Sequence, residues 1–274
     1  MKKCTFALVL LLLLSGCTKP QSAVPSPVES GSPSPVASPS GSPTPTPEVL
    51  WWEGKAAQDL PTEVEPIGNI SSVDGPVCLA LLPDADIGLY GDPDPTAGIL
   101  LRKGDYLQFF PQTYATARYT APELSWADVD GDKEKELVIK YLVNDTDGDI
   151  VYELHIYEWD GKAWSDNAFS QDLYRSLLKD IISYRYQDGY VSFVAGGSST
   201  RAWYDGEDAP KGLAPIGNLV FFRQEGSRYT AIFGLQLELP DDKTYDVATL
   251  TASLVYDGED FSLKDYYLES VGGV

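Results

Sequence analysis

The stretch Leu137-Val-Ile-Lys-Tyr-Leu-Val143, a polar tip, then Ile150-Val-Tyr-Glu-Leu-His-Ile-Tyr-Glu-Trp159 and Asp160-Gly161-Lys162-Ala163-Trp164 decides the fold class. Its two apolar runs are rich in β-branched and aromatic residues, and polar turn signals bound both, so they read as paired strands. Asp160-Gly161 then turns the chain towards another aromatic, because a glycine supplies the positive φ that tight hairpin turns require.

Working outward, the same unit of aromatic strand, glycine turn and aromatic strand recurs. It appears at Tyr186-Gln187-Asp188-Gly189-Tyr190 and at Val255-Tyr256-Asp257-Gly258-Glu259-Asp260-Phe261, with a looser copy at Phe222 to Gly226. Ile99 to Arg102 and Tyr106 to Phe110 form a further hairpin around Lys103-Gly104-Asp105. Gly196-Gly197-Ser198-Ser199 marks a loop. One segment departs from the pattern: Leu173, Leu177, Leu178, Ile181 and Ile182 recur at helical spacing after Ser170, a suitable N-cap, with Asp172 in the first turn. The expectation is a mainly β chain of antiparallel hairpins, propeller-like or sandwich, with one amphipathic helix over about 171–183 packed on a sheet.

The N-terminal fifth has a different character. Lys2 and Lys3 precede nine apolar residues from Phe6 to Leu14, too few to span a bilayer, which takes about 20 as a helix. Leu14-Ser15-Gly16-Cys17 follows and resembles the lipobox of bacterial lipoproteins. That likeness implies cleavage before Cys17, diacylglyceryl and palmitate chains on the new N-terminus, and a stable membrane anchor. Nine of the chain's 20 prolines then fall between Pro20 and Pro47, among serines and threonines. Such a stretch has no apolar periodicity to offset the entropy of ordering and reads as an extended, disordered tether. The expected organisation is a signal peptide over 1–16, lipidated cysteine and tether over 17–48, and one globular domain over 49–274.

Composition bounds the chemistry. The formal charge is −21, and loss of Lys2 and Lys3 with the signal takes it to −23. Such a charge repels nucleic acid and anionic headgroups. Of three cysteines, Cys4 leaves with the signal and Cys17 carries lipid, so the domain has no intramolecular disulfide. Cys78, within an apolar run, is expected as a buried thiol. The single histidine, His155, reads as an ordinary strand side chain, and with one available cysteine no His/Cys zinc site can form in one chain. No nucleophile elbow, phosphate loop or dinucleotide fingerprint occurs. The aromatic content, with 17 Tyr and 6 Trp, suits stacking on sugar rings but equally suits hairpins and cores.

The sharpest local signal lies just before the opening hairpin: Asp128-Val-Asp130-Gly-Asp132-Lys-Glu134-Lys-Glu136. Carboxylates at alternate positions of a tight loop can converge on a hard cation, and calcium accepts 6–8 oxygens in irregular geometry. A solvated run of Asx-turns is the alternative. The glycine is fourth, position twelve is Ile139 and a strand follows, which departs from an EF-hand. These residues resemble the FG-GAP/VCBS-type repeat. The likeness implies Ca2+ held by the side chains of Asp128, Asp130, Asp132 and Glu136 and by the carbonyl of Glu134, with Lys133 standing where such loops often carry glycine. Over Asp86 to Trp164 the chain is also similar to surface lipoproteins of Firmicutes, a likeness that implies an address and no activity.

A second loop, Asp145, Asp147 and Asp149, repeats the spacing 17 residues on, with Glu153 in the place of Glu136. It sits at the hairpin tip, roughly 20 Å from the first loop by strand length, and a plain turn is the favoured reading. The expected function is a non-enzymatic, cation-braced binding or envelope-associated module, anchored by lipid and facing an envelope protein or glycan. A carboxylate hydrolase of cell-wall or extracellular glycans is the alternative.

Overall fold

The structure, a computed structural model, describes residues 51–114, 120–146, 148–204, 206 and 208–271. The expected signal, Cys17, the tether and Asp147 lie outside the described residues. Those described belong to one compact unit.

The fold is organised around the hairpin of β6 (Glu136–Asn144) and β7 (Ile150–Trp159), paired from Leu137↔Tyr157 to Leu142↔Tyr152. Leu137, Ile139 and Tyr141 enter one hydrophobic core, and Val138, Leu154 and Ile156 enter another. Burial on both faces is why β6 reads as a nearly continuous apolar run.

The first core lies between this hairpin and a four-stranded antiparallel sheet. Its strands, in order, are β1 (Val77–Leu82), β2 (Ile87–Gly91), β3 (Ile99–Lys103) and β4 (Tyr106–Phe110). Val77, Leu79, Ile87, Leu89, Ile99 and Leu101 face β6 and β7, by the two-residue period of a strand. The opposite face of the sheet buries Cys78, Tyr90 and Leu100 under Leu60, Trp51 and Trp52. Cys78 is the expected buried thiol, and burial pushes its pKa up to about 11.

The hairpin belongs to a nine-stranded sheet. On one side it is flanked by β5 (Glu123–Ala127). On the other, β8 (Trp164–Phe169) pairs along the C-terminal part of β7, while β13 (Leu219–Glu225) meets Ile150 and Val151 in a short parallel contact. β14 (Arg228–Glu238), β15 (Thr244–Tyr256) and β16 (Phe261–Ser270) continue antiparallel from β13, with β12 (Gly212–Leu213) beside β14. A third sheet, β9 (Ile182–Gln187), β10 (Tyr190–Ala195) and β11 (Ser198–Trp203), shares the second core with β13 to β16. Sheets of four, nine and three strands stacked on common cores make a sandwich-like arrangement, and the fold is mainly β and antiparallel as expected. Among the described residues no helix is long and apolar enough to cross a membrane.

The helix α1 (Gln171–Leu178) is shorter than the expected 171–183. Its apolar stripe is real, since Tyr174 and Leu178 are buried and Leu173, Leu177, Ile181 and Ile182 pack on the same core. Ile182, however, pairs with Ala195 as the first residue of β9, so strand pairing ends the helical stripe early. Ser170 occupies the N-cap, but its hydroxyl caps nothing; the Gln171 N–H donates to Glu153 Oε1 at 2.7 Å. A carboxylate from β7 thereby does the work expected of the serine.

The hairpin turns also divide in a way that Asp-Gly alone does not announce. Asp188-Gly189 is a two-residue turn with φ of +53° and +77°. Asp160-Gly161 and Asp257-Gly258 instead open four-residue turns closed by the aspartate: Asp160 Oδ1 accepts from Lys162 and Ala163 N–H at 2.7 Å each.

A candidate cation-binding end

The loop between β5 and β6 is built by its own carboxylates. Asp128 Oδ1 accepts from Gly131 N–H at 2.8 Å, Asp130 Oδ1 from Asp132 N–H at 3.0 Å, and Asp132 Oδ1 from Glu134 N–H at 2.6 Å. Each is an Asx-type bond that bends the chain two or three residues on. Glu136, the first residue of β6, reaches back so that its Oε2 accepts from Val129 N–H at 2.7 Å. Val129 packs on the second core, which pins the loop's start to the sheet.

These bonds bring Asp128, Asp130 and Glu136 together, with an oxygen of each lying within 4.8 Å of the others. Asp132 and Glu134 lie on the same loop but outside that convergent set. Glu136 is 4% exposed, and burial, with Asp130, Asp132 and Asp128 adding to it, pushes its pKa up to about 7 against the pull of the Val129 N–H. Three carboxylates at this separation repel one another unless a proton or cation intervenes. The donors are all oxygen, which suits a hard cation such as Ca2+.

Two other turns meet the loop. Glu158, Trp159 and Asp160 from the β7–β8 hairpin, with Ser165, line a cavity of about 200 Å³ shared with Asp130, Asp132 and Glu136. From the β15–β16 turn, Gly258 approaches so closely that a Cβ there would lie 3.2 Å from Asp130 Oδ2. Beside it, the Tyr256 hydroxyl donates to Glu158.

Lys133 is held at φ +82°. A side chain in that region is strained by about 1–2 kcal/mol, and glycine is not. Lys133→Gly is therefore expected to stabilise the fold by about 0.5 kcal/mol after the extra unfolded-state entropy of glycine is counted. A rise of about 2 °C in thermal midpoint, measured in chelator, is the expected signature; an unchanged or lower midpoint would count against the strain.

The second loop is a turn. Thr146 N–H donates to Asn144 Oδ1 at 3.1 Å, Asp149 N–H to Thr146 O at 2.9 Å, and Asn144 Nδ2 to Asp149 Oδ2 at 3.3 Å. It joins the far ends of β6 and β7, so the strand separates it from the first loop. Asp145 is engaged, and Asp147 lies outside the described residues. Glu153 faces elsewhere: one oxygen caps α1 and the other lies 3.7 Å from His155 Nε2.

His155 is a strand residue, as expected, yet it is more than that reading implied. It is 3% exposed, its Nδ1 is 2.8 Å from Asp166 Oδ1, and Tyr141 and Tyr157 flank the ring. The two carboxylates hold its pKa above the usual imidazole value although burial opposes the charge. The clue in the sequence was Glu153-Leu154-His155, which places an acid and the imidazole on one face of a strand. Asp166 comes from β8, and no spacing announces it.

Comparison with family models, with curated proteins and with solved structures finds no match.

Proposed function

We propose that this chain is a lipid-anchored, extracytoplasmic binding module, without catalytic activity, whose acidic end is braced by Ca2+. The observation that carries the reading is the convergence of Asp128, Asp130 and Glu136 around a buried carboxyl on one loop. Asp132 and the Glu134 carbonyl are the neighbouring oxygens that would complete the shell. The bound ion supplies positive charge that keeps Glu136 ionised and ties the β5–β6 loop to the sheet. The lipid anchor and the spacer rest on the sequence of residues 1–48, and an envelope protein or glycan is the proposed partner.

A carboxylate hydrolase draws support from the raised pKa of Glu136. The module is preferred because a general acid must reach its leaving group, and Glu136 is almost sealed from solvent.

Calcium titrated into the full chain in detergent is expected to raise the thermal midpoint, with about 2.7 kcal/mol of stabilisation at a hundredfold excess over Kd. Asp130→Ala should abolish the effect while leaving the chelated midpoint within a few degrees of wild type. Equal midpoints for wild type with calcium and with chelator would overturn the brace. For the anchor, Cys17→Ser should lose incorporation of labelled palmitate and leave the membrane fraction. Retention of both would refute it.

A further inference from the structure

The outward face of the three-stranded sheet carries a second surface that the acidic end does not explain. Register places three rows across it. Gln187, Tyr190 and Trp203 form the first row; Arg185, Ser192 and Arg201 form the second; the third holds Val194 between two serines. The opposite face, with Val191, Phe193, Ala195 and Ala202, fills the second core. The rows are therefore turned away from it by the strand period.

Trp203 is 51% exposed, although its ring could have been buried. It is nevertheless held in place. The ring lies over the Asp188-Gly189 turn, where a Cβ on Gly189 would come within 2.8 Å of it, and Tyr190 meets it edge-on with centroids 4.8 Å apart. The guanidinium of Arg201 sits 3.6 Å above the Tyr190 ring. A rigid aromatic plane is thus presented beside fixed positive charge, with little ordering left to do on binding.

Charge separates this face from the rest. In a chain of formal charge −21 it carries Arg185 and Arg201 and no carboxylate among its three rows. Among the described residues Asp188 adjoins it in the turn, where Gln187 Nε2 donates to that carboxylate. Among the described residues neither Arg185 nor Arg201 shares its row with an acid, and such arginines select an anionic partner.

We propose that the outer face of β9 to β11 binds an anionic polysaccharide. A sugar ring stacks on Trp203, its carboxylate or phosphate pairs with Arg201 and Arg185 one two-residue step along the strands, and Gln187 and Ser192 meet its hydroxyls. An acidic polypeptide could satisfy the arginines, but a flat ring plane flanked by amide and hydroxyl groups matches a ring bearing hydroxyls. The proposal deepens the binding-module reading, on which it rests, by giving the class of ligand.

The test is affinity electrophoresis and calorimetry of the full chain in detergent and chelator. The probes are polygalacturonate, its methyl ester and poly-L-glutamate. Wild type should bind polygalacturonate and only weakly bind the ester. Trp203→Ala and Arg201→Gln should each weaken binding about tenfold, a change of about 1.4 kcal/mol, while Trp203→Tyr retains most of it. Absence of wild-type binding, loss in Trp203→Tyr equal to that in Trp203→Ala, or equal binding of poly-L-glutamate would overturn the proposal; the last would make the face a polypeptide site. Because the assay runs in chelator, failure here leaves the calcium brace standing, and failure of the calcium titration leaves this result intact.

Discussion

Phe169→Ala is expected to cost about 3–5 kcal/mol, the range for removing a buried aromatic from a packed core. Phe169 is fully buried at the end of β8, and its ring meets Tyr174 of α1, Phe222 of β13 and Phe261 of β16, with centroids 5.9, 5.9 and 5.4 Å away. The ring therefore joins β8 and α1 to two strands distant in sequence, β13 and β16. Truncation leaves a void that none of them can fill alone, since each is held by its own backbone pairing. The thermal midpoint should fall by about 10 °C, with a parallel drop in the urea midpoint. Phe169→Leu, which keeps most of the volume, should lose less than half as much. A loss under about 1 kcal/mol for the alanine variant would mean the second core relaxes around this position.

The second large effect concerns the buried charge beside it in the sheet. His155→Gln leaves Asp166 and Glu153 without their cation, and such a rupture costs about 3 kcal/mol. Its pH dependence gives the stronger test. The folded-state pKa of His155 lies above its ordinary value, so the folded chain holds this proton more tightly than the unfolded one. The stabilisation is then fully present below about pH 6.5 and is lost as pH rises through the raised folded value. The groups facing the imidazole are Asp166, Glu153 and the rings of Tyr141 and Tyr157. Urea unfolding of wild type and His155→Gln at a series of pH values should show the gap between them widest below about pH 6.5 and narrowing as the pH is raised above it. Glu136 also titrates in part of this range, but it is common to both chains and cancels in the difference. A gap independent of pH would mean that His155 is neutral in the fold.

Much of the architecture is legible in the sequence. The hairpins at 99–110, 137–159, 157–164, 186–190 and 255–261 all form where the apolar and aromatic runs and the polar, glycine-containing turns placed them. Local signals suffice for hairpins, because both strands and the turn lie within some twenty residues. The end of α1 was not legible, since Ile181 and Ile182 keep the helical stripe while β10 offers Ile182 a strand partner. Nor was the choice of a sandwich over a propeller-like arrangement, both of which the sequence left open, since it depends on how the two faces of β6 and β7 divide between cores. For the candidate site, the alternating carboxylates marked Asp128 to Glu136, and the structure draws together three of the five expected ligands.

By itself, then, the sequence determined the secondary structure of the hairpins, the acidic loop and the absence of a disulfide within the domain. These follow from neighbours along the chain and from counting residues. Only the tertiary structure decided that Glu136 is buried among like charges, that Asp166 and Glu153 trap His155, and that Trp203 stands with two arginines on an outward face. The physical reason is the same in each case. Burial and charge pairing depend on which strands become neighbours, and β8 beside β7, or β11 beside β10, is chosen by the whole core at once.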